Sequence, residues 1–209
     1  MTGRVRRFGK KGEGPKMKVL MINGSRRPKG CTFTALSLIA AELNEAGIET
    51  EIFQAGPEVL KGNTKEAVRQ AVELMAGSDG LVIGAPVYYA SPSGEALMFL
   101  DRLFWEGGDV LEQKPCACIT SARRAGTTAT LDALHKYPMN REMPIVTSVY
   151  WNMIHGNTPE EVMQDEEGVF IMKTLGRNMA WMLRAIEAGR AAGIEPPVIG
   201  EKPRTNFIR

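Results

Sequence analysis

Two periodicities alternate along the chain. Short apolar runs occupy Lys18 to Asn23, Glu49 to Phe53, Gly80 to Pro86, Pro115 to Thr120 and Pro144 to Tyr150. Each has strand length and is bounded by Gly, Pro, Asp or Asn. The first, third and fourth are apolar on both faces, as strands buried inside a parallel sheet are. Between them, apolar residues recur at helical spacing. Leu36, Ile39, Ala40 and Leu43 form one stripe. Val68, Ala71, Val72 and Met75 form the next, and Leu97, Leu100, Leu103 and Phe104 a third. Leu131 and Leu134 mark a shorter fourth. A last helix is expected over Phe170 to Arg190, with Leu175, Met179, Met182, Leu183 and Ile186 on one face.

The boundaries carry their own signals. Asn63 with Glu66 reads as a capping box. Thr158-Pro159-Glu160-Glu161 combines an N-cap, a first-turn proline and an acid at the third position. Gly47 suits the left-handed close of the first helix. Five strands alternating with five main helices predict a three-layer α/β domain. Right-handed crossovers bring the loops after the strand ends to one edge of the sheet, where ligands of such folds bind.

Composition narrows the class. With 44% hydrophobic and 24% charged residues in 209, the chain is globular rather than disordered. No run approaches the about 18 apolar residues of a membrane span. Residues 1–16 carry six Lys or Arg and one Glu, so +5 of charge sits there and the other 193 residues hold −3 of the total +2. The expected division is a basic, disordered leader over 1–16 and one folded domain over 17–209. Nothing in the leader interleaves aromatics as a nucleic-acid surface does. Three cysteines without framework spacing point to a reducing, cytoplasmic setting. Cys116 and Cys118 read as small buried residues on opposite faces of a strand rather than as metal ligands.

The chemistry should lie in three loops. The first, Asn23 to Thr34, joins the first strand to the first helix. Its glycines permit tight turning, and Ser25, Thr32 and the free amides of the helix start can hold phosphate oxygens. Arg26, Arg27 and Lys29 add positive charge. The glycine spacing excludes both the nucleoside-triphosphate loop and the dinucleotide fingerprint. The second loop, Ala85 to Gly94, sets Tyr88 and Tyr89 between two prolines, able to flank a flat ring. The plainer reading is core or interface packing. The third, Thr120 to Thr128, is small and polar, with Arg123 and Arg124 able to place charge near an anionic ligand. Tyr150 to Asn157, with Trp151 and His155, is a further candidate for shaping the pocket. His135 reads as a packing or surface residue. A receiver-type signalling domain needs acidic residues at the ends of the first and third strands, and Asn23-Gly24-Ser25 and Ala85-Pro86-Val87 provide none.

Together these loops resemble the flavodoxin-like NAD(P)H-dependent FMN reductases, on the branch that includes iron–sulfur flavoproteins. The family's G-S-P-R-x-x-G-N-T stands here as G-S-R-R-P-K-G-C-T, with Cys31 in the asparagine's place. The family's S-P-V-Y-[FYW]-x-S-x-S-G, followed by F-L-D-R, is matched by A-P-V-Y-Y-A-S-P-S-G and Phe99-Leu100-Asp101-Arg102. The third loop is similar to the family's Arg-Gly turn. The likeness spans about residues 17–155, and Thr205 to Arg209 is a weaker match. It implies a flavodoxin-like sandwich around a five-stranded parallel sheet of order 2-1-3-4-5. It implies FMN held by Ser25, Arg26, Arg27, Cys31, Thr32 and Phe33 of the first loop. Pro86, Val87, Tyr88, Tyr89 and Ser91 of the second join them, with Ser121, Ala122, Arg124 and Gly126 of the third. It further implies NAD(P)H as donor, a small acceptor such as a quinone, free flavin or nitro compound, and a homodimer or homotetramer. The iron–sulfur members carry a cysteine cluster after the second strand. Here Phe53 to Gly62 has no cysteine, so no such cluster is expected there. The competing class is a flavodoxin-type electron carrier. Carriers of that type are strongly acidic, which −3 is not.

Overall fold

The computed structural model describes residues 16–198, 200, 203–205 and 207. The expected leader lies outside these residues except for Lys16, whose ammonium stands 3.6 Å from Glu49. Of the weak match at 205–209, only Thr205 and Phe207 are described.

The sheet is built from β1 (Lys18–Asn23), β2 (Glu49–Phe53), β3 (Gly80–Tyr88), β5 (Cys116–Ala122) and β6 (Met153–His155), in the order β2-β1-β3-β5-β6. All four pairings along this path are parallel. A two-residue strand, β4 (Ser91–Pro92), pairs antiparallel with the end of β3 and lies off the path. Setting that short strand aside, the order is the 2-1-3-4-5 expected, and the fold is flavodoxin-like.

Alternation along the strands divides the core. Leu20, Ile22, Leu81, Ile83, Cys116 and Cys118 pack on one side. There they meet α3 (Thr64–Ala76), α4 (Gly94–Glu106) and α5 (Thr127–Met139). Val19, Met21, Val82, Ala117 and Ile119 face α1 (Cys31–Glu45) and α7 (Glu166–Ala191) on the other. Cys116 and Cys118 therefore share a face, contrary to expectation, because side chains two residues apart in a strand point the same way. Both are buried, as expected.

Other departures have local causes. The run expected as a strand over Pro144 to Tyr150 pairs with β5 only at its start. Cys116 N donates to Pro144 O and Val146 N to Cys116 O, 2.9 Å each. The chain then swings out and rejoins where Thr120 N donates to Asn152 O at 3.0 Å. The exposed Val149, Tyr150 and Trp151 ride on the detour. The Asn63 capping box does not form. The Asn63 amide bonds Glu58, and Glu66 accepts from Arg69 and Gln70 instead. The Thr158 cap does form, accepting from Glu161 N at the start of α6 (Pro159–Val162). α7 begins at Glu166, four residues earlier than expected, because Asp165 caps it through Gly168 N. Gly47 adopts φ 77° at the close of α1. A short helix, α2 (Ala55–Leu60), follows β2.

Candidate functional site

The C-terminal ends of β1, β3, β5 and β6 frame a crevice of about 180 Å³. Asn23, the last residue of β1, is fully buried and organises its floor. Its Oδ1 accepts from Ser25 N at 3.1 Å, while its Nδ2 donates to Gln54 Oε1 at 2.8 Å and to Arg27 O at 3.5 Å. Ser25 Oγ accepts from Arg27 N at 3.2 Å, closing the turn. Gly24 is needed for close approach. A Cβ there would lie 2.7 Å from Ala96 Cβ and 3.0 Å from Gly84 O.

The loop delivers the chain into α1 at Gly30, which offers no side-chain cap. The amides of the first turn, at Cys31, Thr32 and Phe33, thus have no capping side chain, and the positive end of the helix dipole points at the crevice. Thr32 and Ser121 are both buried and share a hydroxyl hydrogen bond of 2.8 Å from α1 to β5. Cys31 Sγ donates to Gly156 O at 3.5 Å. Burial pushes its thiol up, against the nearby Arg27 charge, so at neutral pH it is a thiol and not a thiolate.

The second wall is the turn between β3 and β4. Tyr89 and Ala90 both lie in the left-handed region, at φ 53° and 56°. This is the two-residue hairpin geometry normally given to Asn-Gly, here made without glycine. The tight turn directs Tyr88 to the crevice and leaves Tyr89 fully exposed at the tip. The Arg26 guanidinium lies 5.8 Å from the Tyr88 ring centroid. Gly126, at φ 98°, supports the turn. A Cβ on it would fall 2.8 Å from both Ala90 Cα and Val87 Cγ1.

Of the fifteen expected residues, Ser25, Arg27, Cys31 and Thr32 line the crevice from the first loop. Pro86, Val87 and Tyr88 line it from the second, and Ser121 and Ala122 from the third. The other six stand elsewhere. Arg26 reaches over Tyr88 from outside. Phe33 lies two positions, about 200° of turn, beyond Cys31. Tyr89 points to solvent, and Ser91 faces a separate groove of about 690 Å³ between α4 and α5. Arg124 is exposed, and Gly126 buttresses the hairpin from behind.

Three wall residues lay outside that set: Arg123, Gly156 and Asn157. The choice between adjacent arginines depends on the exact phase of the chain leaving β5, which sequence does not carry. Gly156 and Asn157 follow β6. Gly156 N donates to Ala122 O at 3.0 Å, and Asn157 N to Glu161 Oε2 at 2.7 Å. Asp165 Oδ2 accepts from His155 N at 2.6 Å and stands 3.5 Å from His155 Nδ1, so the cap of α7 also fixes this loop.

Among the described residues, no group of three His, Cys, Asp or Glu is placed to hold a metal. No helix among them is long and apolar enough to cross a membrane. The three cysteines of the chain are one short of a four-thiolate cluster.

Known proteins resemble this chain in sequence and in fold. An iron–sulfur flavoprotein of Methanocaldococcus jannaschii is 26% identical over 192 residues, covering 82% of this chain and 100% of that protein. One from Archaeoglobus fulgidus is 27% identical over 168 residues, covering 73% and 83%. Among solved structures, RosB with a bound formylriboflavin phosphate intermediate superimposes with a TM-score of 0.66 at 15% identity, covering 92% of this chain and 93% of that one. An NADH:FMN oxidoreductase gives 0.63 at 18%, covering 81% and 90%. At such identities these two speak for the fold alone. The model of the family described as NADPH-dependent FMN reductase matches residues 17–158, which takes in every loop of the crevice, and the chain belongs to that family.

Proposed function

We propose that this protein is an FMN-dependent oxidoreductase that oxidises NADH or NADPH and passes the electrons to a small acceptor such as a quinone, free flavin or nitro compound. The observation that carries this reading is the donor set of the crevice. Uncapped amides at the start of α1, the Ser25 and Thr32 hydroxyls and the Arg27 guanidinium converge at one strand end. Such a set suits a dianionic phosphate ester. Tyr88 and the backbone of Pro86 and Val87 supply a flat wall where the ring of a phosphorylated flavin belongs.

When bound, FMN supplies two-electron redox chemistry. The residues of this chain anchor and orient. Ser121, held by Thr32, presents a hydroxyl beside the crevice. Arg27 and Arg123 place positive charge where a reduced flavin or a phosphorylated donor brings negative charge. No side chain is assigned a proton-transfer role.

The test has two parts. Replacing Ser25 by Ala and Thr32 by Val should weaken FMN on the order of 100-fold, two charge-assisted hydrogen bonds at about 1.5 kcal/mol each. Riboflavin, lacking the phosphate, should change less than about threefold. Equal losses for both would remove the phosphate anchor from this loop. The flavin-loaded protein should also turn over NAD(P)H with a quinone or flavin acceptor. No turnover with any acceptor would favour an electron carrier.

A further inference from the structure

A larger cavity, of about 610 Å³, lies at the other end of the sheet, where β5 begins. This is within the roughly 300–1,000 Å³ of small-molecule pockets. The last turns of α7 give it Ile186 and Arg190. Beyond them the chain turns at Gly193, φ 83°, with Ile194 N donating to Gly189 O at 2.9 Å. Ile194, Glu195, Pro196 and Pro197 then fold back as the far wall. Gln113 and Glu142, from the loops flanking the start of β5, border the remaining sides of a groove that is open to solvent, with Ile194 69% exposed.

Backbone strain marks the place. Tyr89, Ala90, Gln113 and Glu142 are non-glycine residues at positive φ, and they fall in two pairs. The first pair forms the hairpin beside the crevice. The second pair, at φ 60° and 53°, lines this cavity. Such conformations persist where their surroundings over-determine them, and they concentrate at functional sites. Gln113 also ties the far wall, its Nε2 donating to Pro197 O at 3.1 Å. The charge is directional too. Glu142 and Glu195 come from different walls against one cation, Arg190. None of the three has an ion-pair partner among the described residues. The C-terminal, negative end of the α7 dipole lies at the same place.

We propose that this cavity is a second ligand site, for an organic cation. Its apolar body packs against Ile186, Ile194 and the prolines, and its protonated amine is met by Glu142 and Glu195. The site is independent of the flavin reading.

The test is calorimetric titration of the full chain with 4-phenylbutylammonium, 4-phenylbutanol and 4-phenylbutanoate, with and without saturating FMN. The ammonium should saturate one site and bind about tenfold tighter than the alcohol, with the carboxylate weakest. FMN should not compete. Glu142→Gln with Glu195→Gln should bring ammonium and alcohol to equal affinity. Ile186→Trp, which crowds the apolar wall, should weaken binding of all three alike while FMN uptake is kept. If the tryptophan variant fails to fold, the glutamine pair carries the test. No saturable heat, equal binding of ammonium and alcohol to the unaltered chain, or displacement of the ammonium by FMN overturns the proposal.

Discussion

At the scale of the residue, small polar groups in buried places do most of the positioning. Asn23 spends both ends of its amide on the first loop and on Gln54, and Thr32 and Ser121 satisfy one another across the sheet. These partners were not legible in the sequence, since a buried amide reads there as any other strand end. His135 shows the opposite case. Its Nε2 is buried with no hydrogen-bond partner, and desolvation lowers its pKa from an ordinary 6.5, against the pull of Asp132. The folded state therefore prefers the neutral ring, while the unfolded chain takes up a proton first. The stability tied to this group is full above about pH 6.5 and is lost as the pH falls through the lower folded-state value. Urea midpoints measured between about pH 7.5 and 5 should drop in the wild type. In His135→Leu that part of the slope should vanish. An unchanged slope would assign the acid sensitivity to other groups.

At the scale of the element, the periodicities located the main helices and four of the five principal strands, because all but the edge strand β2 bury a continuous apolar stripe. They misplaced the last strand. Pro144 to Tyr150 is apolar enough for a strand, but an edge partner must also stay in register with β5. The detour at 147–151 spends that register before Asn152 restores it. The short α2 carries no stripe to read, yet it bears directly on the site. A Cβ on Gly56 would lie 2.4 Å from Ser25 O and 2.8 Å from Arg26 N. Gly56→Ala should push the first loop off its seat. We expect FMN affinity to fall about tenfold or more, with a loss of about 1–3 kcal/mol in stability. Flavin titration and a denaturant melt of the same variant check both. Undisturbed flavin affinity would show that the loop holds its shape without α2.

At the scale of the whole molecule, two separate core clusters clamp the sheet, so its C-terminal edge is a rigid frame on which the loops vary. That much followed from the alternation of strand and helix. The crevice followed too, in its three main loops, because glycines and hydroxyls cluster there. Its fourth side, after β6, fell within the candidate run Tyr150 to Asn157, but which of those residues face the crevice depends on long-range pairing. The outer face of α4 remains. Phe99 and Phe104 serve the core, whereas Trp105 is 80% exposed and Met98 is 53% exposed. We propose this apolar surface beside a groove as the place where copies of the chain would meet. Trp105→Ala should lower the mass seen by light scattering at a given concentration. An unchanged mass would move any self-association to another surface.

The broken outer border of the sheet bears on how copies of this chain can meet. An unpaired strand rim is an open template, and any chain with free amides and carbonyls can extend it without limit. Here β6 offers only three residues, and the bulge ahead of it carries bulky rings in place of a straight backbone. A newcomer would find too few consecutive partners to zip along. Strand addition at this edge is thereby discouraged, which leaves β2, the five-residue strand at the opposite border, as the longer open rim.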